Sequence, residues 1–214
     1  MLEIKNGRID RDGKPLFSQL SFMAKEGEVV CVAGSQGCGK SSLLQAMMGF
    51  IPLDEGWLNV DGDLVNVHSA QYFRRRMAYL PQNVNMPYDK VSDMISSLFS
   101  LKREKKFDEM KETLMTLWEE IGIAAEVFDN KLSEMTTSEQ RVILLSGLCV
   151  LEKELVLLDE PSLWLNEEQL AQAGTCIRQM ARNDSSVVVT CQEHDPILRY
   201  CDKLVEINSN SYHN

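Results

Sequence analysis

Residues 34–42 read Gly34-Ser35-Gln36-Gly37-Cys38-Gly39-Lys40-Ser41-Ser42 and contain the most specific motif of the chain. Its first eight residues fit the pattern G-x-x-x-x-G-K-[ST], in which glycines let backbone N–H groups curl around phosphate oxygens without side-chain clashes. The apolar run 29–33 before it predicts a buried strand, and the helical pattern after it presents free N–H groups that favour an anion. The sequence therefore predicts a strand, a loop and a helix that bind the phosphates of ATP or GTP.

Three side chains of this phosphate loop (residues 34–41) have predicted roles beyond the backbone cradle. We expect Lys40 to reach the β- and γ-phosphates as a flexible point charge, and the Ser41 hydroxyl to ligate Mg²⁺. Cys38 lies beside Lys40 and a helix N-terminus, which both favour a thiolate, so we expect an unusually reactive thiol. The alternative for Cys38 is a small residue that only fills space.

A second apolar strand ends in two carboxylates. Residues 155–158 are apolar and are followed by Asp159, Glu160 and Pro161. Many buried strands end in an acid, but a phosphate loop earlier in the chain makes this ending informative. We expect Asp159 to hold Mg²⁺ through water, and Glu160 to lie beside the γ-phosphate and polarise the attacking water.

Composition restricts the classes of partner. The chain has 214 residues and a formal net charge of −10, which disfavours sequence-independent nucleic-acid binding, so we expect no nucleic-acid partner. The one basic run, Arg74 to Arg76, is interpreted as a solvated approach to a strand. Six cysteines without a CxxC pair or a nearby histidine cluster make a zinc site improbable.

The N-terminal stretch and the lengths of the apolar runs predict a cytoplasmic protein. Met1 leads directly into the polar stretch 3–11, so we expect no signal segment. No apolar run reaches the roughly 18 residues that span a bilayer, so any membrane part would come from another chain.

Hydrophobic periodicity predicts a single domain, 1–214, with a parallel sheet and helices on both of its faces. Its α/β core covers about 1–87 and 151–214, and a helical lobe is inserted at about 88–150; the tail 208–214 is expected to be frayed. The predicted strands are 2–5, 20–24, 29–33, 57–60, 77–80, 155–158, 187–190 and, at an edge, 203–207, and the predicted helices are 40–48, 91–101, 107–121, 138–151 and 167–181.

With these motifs in order, the whole chain resembles the ATP-binding cassette (ABC) ATPase family. Leu80-Pro81-Gln82 is similar to its Q-loop, and residues 56–62 are similar to its antiparallel β lobe. The resemblance implies a P-loop α/β core with an antiparallel β lobe and a helical lobe, and ATP and Mg²⁺ as cofactors. It implies that the Gln82 side-chain oxygen binds Mg²⁺ and senses the γ-phosphate, and that the following loop contacts a membrane-spanning transporter subunit.

Three family motifs are altered here. The signature Leu-Ser-Gly-Gly-Gln falls, without gaps, on residues 134–138, which read Glu-Met-Thr-Thr-Ser; we expect Thr137-x-x-Gln140 to be a capping box instead. The D-loop falls on residues 163–166, which read Leu-Trp-Leu-Asn. The switch histidine falls on Gln192, with His194 two residues later as the alternative, and Arg11 is a weak substitute for the aromatic residue that stacks on adenine.

In the family, two such domains pair head to tail, so the resemblance implies a second ABC subunit in a homodimer or a heterodimer. The leading hypothesis is an ATP-binding subunit on the cytoplasmic face of the membrane, which hydrolyses ATP, with Glu160 and Gln192 in catalytic roles, to drive separate membrane subunits. One alternative is a nucleotide-gated regulatory module with little turnover, which the altered motifs favour. The other is a soluble ABC ATPase in cofactor assembly.

Overall fold

A computed structural model of the chain describes residues 1–66, 68–84, 86–101 and 106–207. The tail 208–214, which we expect from the sequence to be frayed, lies outside these residues. The strands are β1 Leu2–Arg11, β2 Lys14–Ala24, β3 Val29–Ala33, β4 Glu55–Val60, β5 Asp63–Leu64, β6 Met77–Leu80, β7 Leu155–Asp159, β8 Ser186–Cys191 and β9 Lys203–Glu206. The α-helices are α1 Lys40–Met47, α2 Ala70–Arg75, α3 Val91–Phe99, α4 Phe107–Glu120, α5 Thr137–Val150 and α6 Glu167–Arg182, and 3-10 helices lie at Ala125–Asp129, Leu132–Glu134 and Pro196–Tyr200.

A five-stranded parallel sheet of order β6-β7-β8-β3-β9 forms the centre of the fold. Alternate residues of a strand enter different apolar clusters: Cys31 packs on one face of the sheet, whereas Val30 and Val32 pack on the other. Helices on both faces are what allow a strand as apolar as β3 to be fully buried. As predicted, β9 lies at an edge. Because the strands are parallel, their carboxyl ends meet at one edge of the sheet, where ligands bind in such folds.

The second sheet is antiparallel, of order β2-β1-β4-β5. Its β1–β2 hairpin turns at Asp12-Gly13, whose φ angles of +53° and +74° suit a two-residue hairpin turn. The sequence predicted only the outer ends of these two strands, 2–5 and 20–24. Register shifts after Ile4, Gly7 and Ile9 interrupt the period-two alternation, so the strands are much longer than their apolar pattern indicates.

Helices α3, α4 and α5 occupy the chain between β6 and β7 and pack in the same apolar cluster as one face of the parallel sheet. Trp118 is fully buried there, and its indole N–H donates to Ser146 Oγ at 2.8 Å. The predicted helices are present with ends shifted by a residue or two. None of the helices in the described part of the chain is long and apolar enough to cross a membrane. That residues 88–150 form an inserted lobe stays a prediction.

The basic run leads into β6 as interpreted and Arg75 is exposed, but two of its three arginines have protein partners. Arg74 and Arg75 form the last turn of α2, a short helix that the sequence did not predict. Arg74 donates to the Met48 carbonyl at 2.9 Å and lies 4.7 Å from the centre of the Phe50 ring. Arg76 forms salt bridges with the carboxylates of Asp61 and Glu154. Local partners therefore engage Arg74 and Arg76, which are not freely solvated.

Candidate nucleotide site

The phosphate loop leaves the carboxyl end of β3 and enters α1 at Lys40. Gly37 and Gly39 have φ angles of +82° and +101°, a region that side chains with a Cβ avoid. A Cβ on Gly39 would also lie 2.9 Å from the Leu16 Cβ. The local sequence thus produces a tight turn that ends on a helix N-terminus with no side-chain cap, which leaves the first N–H groups for an anion.

Lys40 is the buried cation of the loop, with 5% of its surface exposed. Its Nζ donates to the carbonyl oxygens of Gly34 at 2.7 Å and Ser35 at 2.9 Å. The same nitrogen lies 3.3 Å from Glu160 Oε1. The ammonium group therefore joins the phosphate loop to the end of β7, two segments that are about 120 residues apart in the chain.

Glu160 follows the last residue of β7 and is also buried. Its Oε2 accepts from Gln82 Nε2 at 3.0 Å, and its own backbone N–H donates to Thr190 Oγ1 at 3.1 Å. Its φ angle of +45° is unusual for a residue with a side chain, and such conformations persist where the surroundings impose them, often at functional sites. The three predicted residues Lys40, Gln82 and Glu160 thus meet at one point.

Asp159 is 2% exposed, and its Oδ1 accepts from Thr190 Oγ1 at 2.8 Å. Tyr79 lies on its other side, where burial and the negative charge of Asp159 raise the pKa of Tyr79 to about 12. An aspartate, a serine hydroxyl and an amide oxygen are the oxygen ligands that Mg²⁺ prefers. With the Gln82 amide nitrogen directed to Glu160, its oxygen is left for a cation, so the donor set of Ser41, Gln82 and Asp159 fits Mg²⁺.

Sequence reasoning missed three polar residues of this site: Tyr79, Arg141 and Thr190. Arg141 is 1% exposed and donates Nη1 to the Glu160 carbonyl at 3.3 Å and Nη2 to the Gln82 carbonyl. Burial lowers the pKa of Arg141, while the charges of Asp159 and Glu160 oppose that shift. One signal was available for Thr190, which is a polar residue after the apolar run Val187–Val189 of β8, whereas Arg141 follows four polar residues of α5 and gave no such signal.

A family model described as ABC transporter matches residues 17–163, or 147 of the 214 residues. The chain belongs to the ABC transporter family. One relative is CcmA of Hahella chejuensis, a cytochrome c biogenesis ATP-binding export protein. It is 29% identical to this chain, and the alignment covers 89% of this chain and 88% of CcmA. A second relative is BtuD of Halobacterium salinarum, a cobalamin import ATP-binding protein, which is 25% identical over 99% of this chain. The chain spans only about half, 54%, of the length of BtuD.

Solved structures show the same fold. The dimeric structure of MJ0796, a bacterial ABC transporter cassette, superposes with a TM-score of 0.80 at 17% identity, covering 97% of this ABC chain and 94% of that chain. The predicted family and the predicted α/β P-loop fold are confirmed. At the level of the family, the prediction of an ATP-hydrolysing transporter subunit is confirmed as well.

The reactive Cys38 expected in the ABC phosphate loop is contradicted. Its side chain is buried, and burial raises the pKa of the Cys38 thiol although Lys40 acts in the opposite direction. A Cβ placed on Gly34 would come within 2.6 Å of the Cys38 sulfur. The structure therefore supports the alternative, a small residue that fills the space beneath the loop.

Residues 134–138, at the position of the ABC signature, lead into α5. The capping box of this helix lies one residue earlier than predicted. Thr136, not Thr137, is the N-cap: its Oγ1 accepts from the Glu139 N–H at 3.3 Å, and the Thr136 N–H donates to Glu139 Oε2 at 2.7 Å. Gln140 instead donates to the Leu132 carbonyl at 2.7 Å. Thr136 is the residue with extended backbone, so it takes the cap.

The other altered ABC motifs lie near the ends of β7 and β8. Gln192 and His194 are both exposed in the turn that follows β8, and His194 has a φ angle of +63°. In that turn Asp195 Oδ2 accepts from Ser162 Oγ at 2.7 Å, which ties the turn to the D-loop segment. Trp164, in the D-loop, is 61% exposed. The switch role of Gln192 or His194 and the adenine contact of the exposed Arg11 stay predictions.

Proposed function

We propose that this chain binds Mg·ATP in its phosphate loop and hydrolyses it, and so powers a membrane-spanning transporter subunit from the cytoplasmic face of the membrane. One observation supports the assignment most strongly. Lys40, Gln82 and Glu160 come from three distant segments, yet the Lys40 ammonium and the Gln82 amide both contact the Glu160 carboxylate, at 3.3 and 3.0 Å. A cation, an amide and a carboxylate at a phosphate loop are the groups that phosphoryl transfer to water needs.

Each group has a defined task in this proposal. The Lys40 ammonium and the N–H groups of the phosphate loop bind the β- and γ-phosphates and stabilise the charge that develops on the γ-phosphoryl oxygens. Glu160 accepts a proton from the water that attacks the γ-phosphorus, while the bond to the β-phosphate oxygen breaks. Thr190 and Arg141 hold the backbone around Glu160, because they bond to its N–H and its carbonyl.

Mg²⁺, when bound with ATP, would neutralise charge on the phosphate oxygens. Ser41, Gln82 and Asp159 would hold it, and the remaining loop residues would contact phosphate through their N–H groups. The Thr190 hydroxyl orients the Asp159 carboxylate through its 2.8 Å hydrogen bond.

The proposed partners are a membrane-spanning subunit, which would contact the loop after Gln82, and a second ABC subunit. The dimeric likeness of MJ0796 supports pairing of two cassettes. A second candidate function is a nucleotide-gated module with little turnover. The observation that favours it is the Glu139 carboxylate at the N-terminus of α5, where the family places its signature.

Replacement of Lys40 by alanine tests the phosphate-loop assignment. We expect Lys40→Ala to weaken ATP binding by about a hundredfold or more, because no other cation of the loop reaches the β- and γ-phosphates. The measurement is calorimetric titration with Mg·ATP, with the exposed Lys25→Ala as the matched control and thermal unfolding to show that both variants are folded. Undiminished affinity in Lys40→Ala would defeat the assignment.

Co-purification separates the transporter subunit from the soluble alternative. Expressed with its native partners, the chain should be isolated together with a multi-span membrane protein. Isolation with soluble proteins alone would favour the soluble ABC ATPase.

A further inference from the structure

One buried side chain, Arg141, connects α5 to the two residues that the proposed function assigns to Mg²⁺ and to water. Its Nη1 donates to the Glu160 carbonyl at 3.3 Å, and its Nη2 donates to the Gln82 carbonyl. Among the described residues, no other hydrogen bond reaches the Gln82 main chain. The planar, forked guanidinium therefore holds two segments, one after β6 and one after β7, in a fixed relation to each other.

The burial of Arg141 is unfavourable for folding by itself. Only 1% of its surface is exposed, and its Nε has no hydrogen-bond partner in the part of the chain that the structure describes. A buried charge and a buried N–H group without a partner both oppose folding. An apolar side chain of similar volume would fill this space at least as well, so packing does not explain the guanidinium.

The D-loop segment, residues 163–166, meets Arg141 at the same place. The Glu160 carbonyl accepts a second hydrogen bond, from the Leu163 N–H at 3.1 Å, and the centre of the Trp164 ring lies 5.9 Å from the guanidinium carbon. Because the Glu160 carbonyl keeps the Leu163 partner when the arginine is removed, we expect a variant without Arg141 to fold.

Arg141 lies five residues after Thr136, the N-cap of α5, which is about 7.5 Å along the helix axis. Backbone hydrogen bonds make this stretch of helix a rigid element, so a shift of the α5 N-terminus carries the guanidinium with it. The two carbonyls follow, because the fork is bonded to both of them.

We propose that Arg141 is a positioning residue that makes Gln82 and Glu160 move together with α5. The inference rests on the proposed function, in which the Gln82 oxygen holds Mg²⁺ and the Glu160 carboxylate accepts a proton from water. Arg141 bonds to the main chain of both residues and to neither reacting side-chain atom, so it acts by fixing where the two side chains begin. Hydrolysis is fast only when α5 places both of them at the phosphate loop.

This role predicts a change in the hydrolysis rate with little change in ATP affinity. Arg141 does not bond to the phosphate loop, so Arg141→Met should leave the Kd for Mg·ATP within about twofold of the unmodified chain. Single-turnover hydrolysis should fall at least about tenfold, because small displacements of catalytic groups slow a reaction strongly. Arg182→Met, at an exposed arginine at the end of α6, is the matched control and should leave both quantities unchanged.

Two double-mutant cycles separate positioning from a general loss of stability. If Arg141 acts through Glu160 and Gln82, its replacement matters less where one of those side chains has already been changed. We expect the fall in hydrolysis rate caused by Arg141→Met to be at least about threefold smaller in Glu160→Gln and in Gln82→Ala than in the unmodified chain. A residue with a merely structural role would cause the same fall in all three backgrounds.

An equal fall in either changed background, or an unchanged hydrolysis rate in Arg141→Met, would overturn the inference. Failure of the proposed function is recognised separately, because the unmodified chain would then show no hydrolysis of Mg·ATP, and the inference would fail with it. If thermal unfolding shows that Arg141→Met is not folded, Arg141→Lys takes its place. It keeps the positive charge but has one nitrogen where the fork presents two, so the same loss of rate and the same result of the cycles are expected.

Discussion

Glu160 is held by groups from four separate segments of the chain. Lys40 and Gln82 contact its carboxylate, while Thr190 and Arg141 bond to its backbone N–H and carbonyl. A buried charge is stable only when it is paired and hydrogen-bonded, so these contacts both permit the carboxylate and fix its position. A fixed carboxylate beside a phosphate loop is suited to accept a proton from one oriented water molecule.

These contacts of Glu160 allow a prediction for the variant Glu160→Gln. The amide has the size of the carboxylate and retains an oxygen for Lys40, but it cannot accept a proton. ATP binding should therefore persist while the hydrolysis rate falls at least about a hundredfold, the usual scale for removal of a positioned base.

The assay is single-turnover hydrolysis of Mg·ATP. Glu154→Gln is the control, because Glu154 precedes β7 at its other end and pairs with Arg76. A nearly unchanged hydrolysis rate in Glu160→Gln would mean that another group is the catalytic base.

Among the elements, the antiparallel sheet depends on a close approach between β1 and β4. Gly56, near the start of β4, has a φ angle of +83°, and a Cβ there would lie 2.4 Å from the carbonyl oxygens of both Lys5 and Asn6. Gly62, in the turn after β4, has a similar φ angle of +89° but no atom within 4 Å of such a Cβ. The two glycines share a positive φ angle and differ in the space around them.

We predict that Gly56→Ala destabilises the fold by roughly 2 kcal/mol more than Gly62→Ala does, because added atoms in a packed site force the backbone apart. Both variants carry the cost of a positive φ, so the difference isolates the steric contact. Urea unfolding measures the two free energies. Equal destabilisation would show that β1 and β4 separate without strain.

At the scale of the whole molecule, the nucleotide site of an ABC dimer is completed by the signature segment of the second subunit. Where the family has glycines at the start of α5, this chain has Thr136 and Thr137. The Thr136 hydroxyl is engaged in the capping box, and the Glu139 carboxylate accepts the Thr136 N–H at 2.7 Å. Hydrogen bonds from Thr136 lower the pKa of Glu139, so this helix N-terminus carries a negative charge that would oppose a γ-phosphate.

We therefore predict that this chain works poorly with a copy of itself and needs an ABC partner with an intact signature. Loss of one charge-assisted hydrogen bond costs about 1.5–3 kcal/mol, or roughly ten- to a hundredfold in closure of the dimer. The measurement is light scattering of Glu160→Gln protein with Mg·ATP, beside ATPase assays of the unmodified chain.

Glu139→Gln is an informative variant for this prediction, because it keeps the cap geometry and removes the charge; it should strengthen ATP-dependent pairing. A tight homodimer of the chain with Glu139 unchanged, together with fast cooperative hydrolysis, would contradict the prediction.

The fold and the centre of the candidate site were predictable because their signals are local. The phosphate loop, the acidic end of β7 and the helical periodicities each lie within a few consecutive residues, where backbone conformation depends on near neighbours. Boundaries were less predictable. The bulges in β1 broke the alternation. The cap of α5 fell on Thr136 because Thr136-x-x-Glu139 fits the capping-box pattern as well as Thr137-x-x-Gln140 does, and only the extended backbone of Thr136 distinguishes the two.

The sequence alone was enough for the family, for the order of the strands and helices except β5 and α2, and for the meeting of a phosphate loop with an acidic strand end. Three contacts came from the tertiary structure alone: Thr190 orients Asp159, Cys38 is buried, and Cys31 lies against Cys191. These contacts depend on which strands are neighbours and in which register, and β3 and β8 are more than 150 residues apart in the chain. Burial and pairing across such distances result from the packing of the whole sheet, so no local pattern records them.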